Sequence, residues 1–200
     1  MANQAASPRL TPKFIEALGY AAEKHATQTR KASEVPYLGH LLSVAGLVIE
    51  ANGTETQAIA ALLHDAAEDQ GGERTLAEIG QKFGADVASI VAECSDTFET
   101  PKPPWRGRKE RYIHHLRGAS DDAVLVSLAD KLDNARAILR DFRAQGNEVW
   151  QRFSVQDPQL HLWYYRSLLE VFIQRTRSWM VGELHDVIDA LEQAINRQSA

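Results

Sequence analysis

The sequence predicts an all-α, single-domain protein with one buried polar site. Apolar residues recur at three- and four-residue spacing through most of the chain, and runs of alternating β-branched residues are missing. Two hundred residues fill one hydrophobic core and are short for two. Apolar residues make up 44% and charged residues 24%, ordinary globular usage that excludes a disordered or fibrous chain.

Residues 1–12, interrupted by Pro8 and Pro12, are expected to be a flexible N-terminal tail, with the domain proper spanning 13–197. A first helix is expected from about Thr11 to Thr27, with Pro12 suited to its first turn and Phe14, Leu18 and Ala21 on one face. A second, HLLSVAGLVIEA, follows Pro36 and stops at Asn52-Gly53. Thr54 and Gln57 fit a capping box for a third helix, which runs on through AIAALLHDAAED. TLAEIGQKFGADVASIVAECSD reads as two helices broken at Gly84, with Thr75 and Glu78 supplying a second capping box. From Ser95 to Gly107 three prolines mark a long connection, of the kind that often carries function inside a compact domain. Helices RKERYIHHL and DDAVLVSLADKLDNARAILRDF follow, then a polar connection around QGNEVWQRFSVQDP and closing helices at about 159–176 and 181–196.

A net charge of −5 leaves no broad basic footprint for nucleic acid, and no polybasic block points to a membrane surface. The N-terminal MANQAASPRLTPK lacks an apolar h-region, and LLSVAGLVI is too short to span a bilayer. Cys94 is the single cysteine, which excludes an intramolecular disulfide and a cysteine-rich zinc site and makes a reducing cytoplasm the simplest home.

Within AIAALLHDAAED, His64, Asp65, Glu68 and Asp69 crowd one side of an otherwise apolar helix, and the small alanines around them let neighbours approach closely. In LVSLADKLDNARAIL, Leu125, Leu128, Leu132 and Leu139 form the apolar stripe, while Asp133, Arg136 and Arg140 share a sector expected to meet water. Asp130 and Asn134 belong to neither group and lie one turn apart among apolar residues. Asp130 is therefore expected to be partly buried and to need a cation or several hydrogen bonds. His40 opens the second helix, and Arg30-Lys31 lies upstream in a polar turn. His40, His64, Asp65 and Asp130 together make a set of two histidines and two carboxylates without sulfur, which favours a hard or borderline divalent metal such as manganese. A metal hydrolase is the leading expectation. His25 is expected to orient a neighbour, His114, His115 and His185 to lie on the surface, and Trp150, Trp163 and Trp179 to pack between helices. Trp105, in the proline connection, is the tryptophan expected to cover a ligand.

The ordered series His25, QTRK, PYLGH, ALLHDAAED, Arg108-Lys109 and LADKLDNAR, running from about residue 20 to 140, resembles the HD superfamily of metal-dependent phosphohydrolases. More narrowly, it resembles the alarmone hydrolases related to the hydrolase domain of RelA/SpoT proteins. The resemblance implies an HD-type helical bundle around one Mn²⁺ held by His40, His64, Asp65 and Asp130. By the same matching, Glu68 and Asp69 orient or activate the attacking water, and Arg30, Lys31 and Asn134 contact the nucleotide. Tyr164 matches a ligand-contacting tyrosine, with Tyr165 as its competitor. The implied reaction is hydrolysis of the 3′-pyrophosphate of guanosine tetra- or pentaphosphate, giving GDP or GTP and pyrophosphate. The implied partner is a small-molecule nucleotide, not nucleic acid or membrane, and self-association into a homo-oligomer is left open.

Two departures stand out. Leu41 follows His40 where the family often has proline, and TFETPKPPWRGRK is richer in proline and tryptophan than expected. The second leaves the equivalent of the family's phosphate-contacting lysine unassigned within residues 95–110, while Arg30 and Lys31, with Lys102, Arg106 or Lys109, are the candidates for stabilising charge on the phosphates. With no synthetase domain in this sequence, the chain is expected only to degrade alarmones. The alternatives are an HD phosphohydrolase acting on another nucleotide, such as an adenosine alarmone, a nucleoside monophosphate or a phosphorylated cofactor, and a noncatalytic sensor retaining the fold.

Overall fold

A computed structural model describes residues 10–99 and 101–199. The tail expected at the N-terminus lies largely outside these residues. Its last part, Thr11, instead caps the first helix, α1 (Pro12–Lys24), its side chain accepting from the Lys13 N–H. There follow α2 (Leu38–Glu50), α3 (Glu55–Leu63), the single turn α4 (Ala66–Asp69), α5 (Gly72–Phe83) and α6 (Ala85–Cys94). After the proline connection come α7 (Trp105–Leu116), the long α8 (Asp121–Gln145), a 3₁₀ segment (Gly146–Arg152), α9 (Pro158–Arg175) and α10 (Met180–Ser199). The described residues contain no strand, only one antiparallel bridge between Thr29 and Pro36. That bridge closes a short turn that carries Arg30-Lys31 on its outgoing side, with Ala32 in the left-handed region at φ 51°.

The long helix α8 is the axis of the fold, packing against α2, α3, α6, α9 and α10. Leu128, Leu132 and Phe142 of α8 and Leu168 and Phe172 of α9 are fully buried. Helix α3 crosses the core: Ala58 through Leu63 are at most 1% exposed, and the alanines let α2 and α6 close in on it. Its start is the expected capping box, Thr54 accepting from the Gln57 N–H while Gln57 accepts from Thr54. Arg175 ties α9 to the end of α7 by donating to the carbonyls of Leu116, Arg117 and Ala119.

Several expected elements are corrected. α1 ends at Lys24, because His25 leaves the helical region at φ −106°, ψ 19°, after which the Ala26 and Gln28 N–H groups bond only three residues back, to Glu23 and His25, and the chain turns into the Arg30 hairpin. The second capping box does not form. α5 starts at Gly72, after Gly71 and Gly72 turn through φ 121° and 60°, leaving Thr75 to donate to the Gln70 carbonyl and Glu78 to pair with Lys24 at 2.7 Å. Gly84, at φ 98°, breaks α5 from α6 as expected. α7 begins at Trp105 directly after Pro104, so the connection is shorter than Ser95–Gly107. Trp150 is buried, whereas Trp179, expected to pack between helices, is 44% exposed.

His161 on α9 sits among Trp105, Trp150 and Phe153, its Nε2–H donating to the Val155 carbonyl at 2.8 Å. Burial holds its pKa below the ordinary value against the opposing pull of that carbonyl. The unfolded chain, protonating near pH 6.5, therefore binds more protons than the folded one below that pH, and stability falls as pH drops through this range. Thermal melts at about pH 7.5 and pH 5 should show a smaller loss of Tm in His161→Phe than in the parent. Equal losses would assign the effect to other groups.

Candidate metal centre

Four donors converge from three parts of the fold. His40 stands in the first turn of α2, His64 and Asp65 at the break between α3 and α4, and Asp130 on α8. The expected continuous third helix is interrupted at the His-Asp pair, where Asp65 drifts to φ −97°, ψ −6°, close to the sparsely populated bridge region. Regular helical bonding resumes with the Asp69 N–H donating to the Asp65 carbonyl at 2.9 Å. Both imidazoles and Asp130 are buried.

The imidazoles are oriented from behind. His64 Nδ1–H donates to the Ala61 carbonyl at 2.8 Å, and His40 Nδ1–H donates to Asp133 Oδ2 at 2.6 Å. Each ring therefore turns Nε2 toward the other three donors, and neither buried Nε2 has a hydrogen-bond partner among the described residues. Asp65 Oδ2 lies 3.0 Å from His64 Nε2 and 3.7 Å from His40 Nε2, while Asp130 Oδ1 lies 3.2 Å from His40 Nε2 and 3.6 Å from His64 Nε2. Two donors about 2.1 Å from one ion at right angles stand roughly 3 Å apart. The donor atoms of His40, His64 and Asp65 all lie within 4.8 Å of one another.

Electrostatics point the same way. Burial opposes charge on both imidazoles, but Asp65 and Asp130 beside His64, and Asp130 and Asp133 beside His40, outweigh it and raise both pKa values. Burial pushes the Asp65 and Asp130 carboxyls up, and His64 beside the first and Lys131 beside the second more than reverse this, leaving both below the usual carboxylate range. Such a knot of lone pairs and anionic oxygens holds positive charge strongly, and its residues fit a divalent cation.

The acidic pair follows on α4. Glu68 accepts from the Asp96 N–H and from Lys102 Nζ, both at 2.8 Å. Asp69 accepts from Gln28 Nε2 at 2.8 Å, and His25 Nδ1–H donates to Gln28 Oε1 at 2.8 Å, so His25 does orient a neighbour. A cavity of about 470 Å³ opens beside Glu68 and Asp69, bounded also by Thr97, Phe98 and Lys102. Half-buried Asp96 gathers Arg108 and Lys109 from α7. Desolvation and then neighbouring Lys102 hold the Lys31 ammonium below its ordinary value, against the opposing pull of Asp69 and Glu68.

Arg30 and Asn134 join the metal side, Arg30 Nη1 donating to Asn134 Oδ1 at 3.1 Å and Asn134 Nδ2 donating to Asp130 Oδ1. Tyr164 stands apart, its ring against Trp105 and under Lys109 and its buried hydroxyl without a partner among the described residues. Trp105 packs on His161, Trp163 and Tyr164 in that aromatic group. Three residues of the site were missed from sequence. The Tyr37 hydroxyl donates to Asp65 Oδ2, Asp96 organises the α7 cations, and Asp133, expected to meet water, faces inward to His40 and Ser43. Tyr37 lies within the PYLGH motif; a helical wheel gives no signal for Asp133, because its partners belong to α2.

The HD domain family matches residues 17–158. A Xenopus tropicalis protein named guanosine-3′,5′-bis(diphosphate) 3′-pyrophosphohydrolase MESH1 is 38% identical over 176 residues, covering 86% of this chain and 90% of the relative. The Homo sapiens protein of the same name is 38% identical over 148 residues, covering 72% of this chain and 78% of its own length. A solved structure described as a metazoan ortholog of SpoT that hydrolyses ppGpp superposes with a TM-score of 0.74 at 28% identity, covering 92% of this chain and 97% of that one. With its buried His-Asp donor set on an all-helical frame and a match spanning most of its length, the chain belongs to the HD domain family.

Proposed function

We propose that the protein is a metal-dependent guanosine-3′,5′-bis(diphosphate) 3′-pyrophosphohydrolase, converting guanosine tetraphosphate and water to GDP and pyrophosphate. The observation that carries the reading is the pair of buried Nε2 atoms, without a hydrogen-bond partner among the described residues, that face Asp65 and Asp130 next to an acidic pair and several cations. The relatives named above act on this substrate by name.

In this reading His40, His64, Asp65 and Asp130 hold one ion, Mn²⁺ being the choice their chemistry favours. A divalent ion there supplies Lewis acidity, lowering the pKa of water and drawing charge from a phosphoryl oxygen. Glu68 and Asp69 orient the attacking water and take its proton. Lys31 and Arg30, with Lys102 released from Glu68, hold the phosphates in line for attack on the 3′ phosphorus. Asn134 contacts the nucleotide. Tyr164 contacts the ligand from the α9 side through a hydroxyl that has no partner among the described residues. The catalytic domain spans 13–197, and the buried thiol of Cys94, with its pKa pushed up to about 11 by burial, takes no part in the chemistry.

The test is a panel of guanosine tetraphosphate, its adenosine counterpart and a nucleoside monophosphate offered to the Mn²⁺-loaded protein. The expected result is turnover of the guanosine compound above the other two. Release of phosphate from the monophosphate alone would move the protein to a different nucleotidase activity on the same fold.

A further inference from the structure

We propose that Asp133 is a positioning residue that fixes His40 in the tautomer a metal ligand requires. The inference rests on the metal reading above and concerns a residue outside the proposed ligand set. Asp133 Oδ2 lies 2.6 Å from His40 Nδ1, its other oxygen accepts from the Ser43 hydroxyl, and Arg30 Nη2 lies 3.6 Å from Oδ2.

An ionised carboxylate only accepts, so the proton of a neutral His40 must sit on Nδ1, leaving the lone pair on Nε2. The same contact fixes the ring plane and strengthens Nε2 as a donor. The arrangement closes a ring of side chains. From Asp133 it passes to Arg30, from Arg30 to Asn134 at 3.1 Å, from Asn134 to Asp130, and from Asp130 Oδ1 back to His40 Nε2 at 3.2 Å. Asp133 thus stands where α8 meets both a ligand on α2 and the Arg30 turn. Its position on α8, with Arg136 and Arg140 on the same sector, would otherwise leave it in water.

A purely structural tie between α2 and α8 would show the same hydrogen bonds, so the test reads the ion site. The full-length chain is stripped of metal and titrated with Mn²⁺, following the free-ion electron paramagnetic resonance signal, and with Co²⁺, following its visible absorption. Asp133→Leu removes the acceptor and should lower Mn²⁺ affinity about 10- to 100-fold and alter the Co²⁺ spectrum. Asp133→Asn keeps an acceptor for Nδ1–H but loses the charge, and its loss should be smaller, about 3- to 10-fold, with the metal-free Tm near the parent's. If the leucine variant does not fold, the isosteric asparagine variant decides alone. Parent-like Mn²⁺ affinity and an unchanged Co²⁺ spectrum in the folded variants would overturn the proposal while leaving the metal reading intact. If the parent binds no better than His64→Ala, the metal reading itself fails, and the proposal with it.

Discussion

Asp65→Ala is expected to lower kcat/KM on guanosine tetraphosphate by about 10³-fold or more, equivalent to roughly 4 kcal/mol of transition-state stabilisation, and to lose Mn²⁺ together with activity. The residue has no substitute: its Oδ2 lies 3.0 Å from His64 Nε2 and accepts the Tyr37 hydroxyl. Removal leaves that half-buried phenol without its acceptor and the two Nε2 atoms with Asp130 alone. Burial, the largest cause of its raised pKa, and the Asp130 and Asp69 carboxylates remain in the variant, so Tyr37 stays neutral and cannot supply the missing negative charge. Ala66 and Ala67, which follow in the chain, are fully buried and untouched, so the variant should keep its circular dichroism spectrum and a cooperative melt. Parent-like turnover in a folded Asp65→Ala protein would rule out the donor set proposed.

Glu68→Gln is the second large effect and should separate chemistry from metal binding. The change keeps shape, and Gln Oε1 can still accept the Asp96 N–H that Glu68 accepts at 2.8 Å. It removes the carboxylate proposed to take the proton of the attacking water, a role worth about 10²- to 10⁴-fold in kcat. Mn²⁺ affinity should stay at the parent's level, because Glu68 is not among the four donors. Lys102, which pairs with Glu68 at 2.8 Å, keeps Asp69 at 3.7 Å, so KM should change far less than kcat. A variant that lost its ion along with its rate would make Glu68 a ligand, and one that kept its rate would leave Asp69 as the base.

Much of this was legible in the sequence because the decisive residues break their own local patterns. Asp130 interrupts the apolar surface of α8 and is 5% exposed, and the helix-opening His40 is buried at 3%. What the sequence did not show depends on partners distant along the chain. The break at His64-Asp65 lies in a run of good helix formers; nothing local announces it. The unused capping box at Thr75 shows the same effect, since Glu78 reaches Lys24 and Tyr20 on α1. Asp133 sits at a water-facing position by periodicity alone, and only the approach of α2 turns it into the acceptor of His40. Trp179 errs in the other direction, remaining 44% exposed because tryptophan in a sequence does not say which face of a junction will be covered.

The central claim is that these residues direct water to the 3′ phosphorus of guanosine tetraphosphate. The most direct measurement is ³¹P NMR of the products formed by the Mn²⁺-loaded protein in ¹⁸O-labelled water, after removal of the paramagnetic ion. The expected result is GDP and pyrophosphate in equal amounts, with one labelled oxygen in the pyrophosphate and none in GDP. Orthophosphate as the first product, or label on the nucleotide, would contradict it.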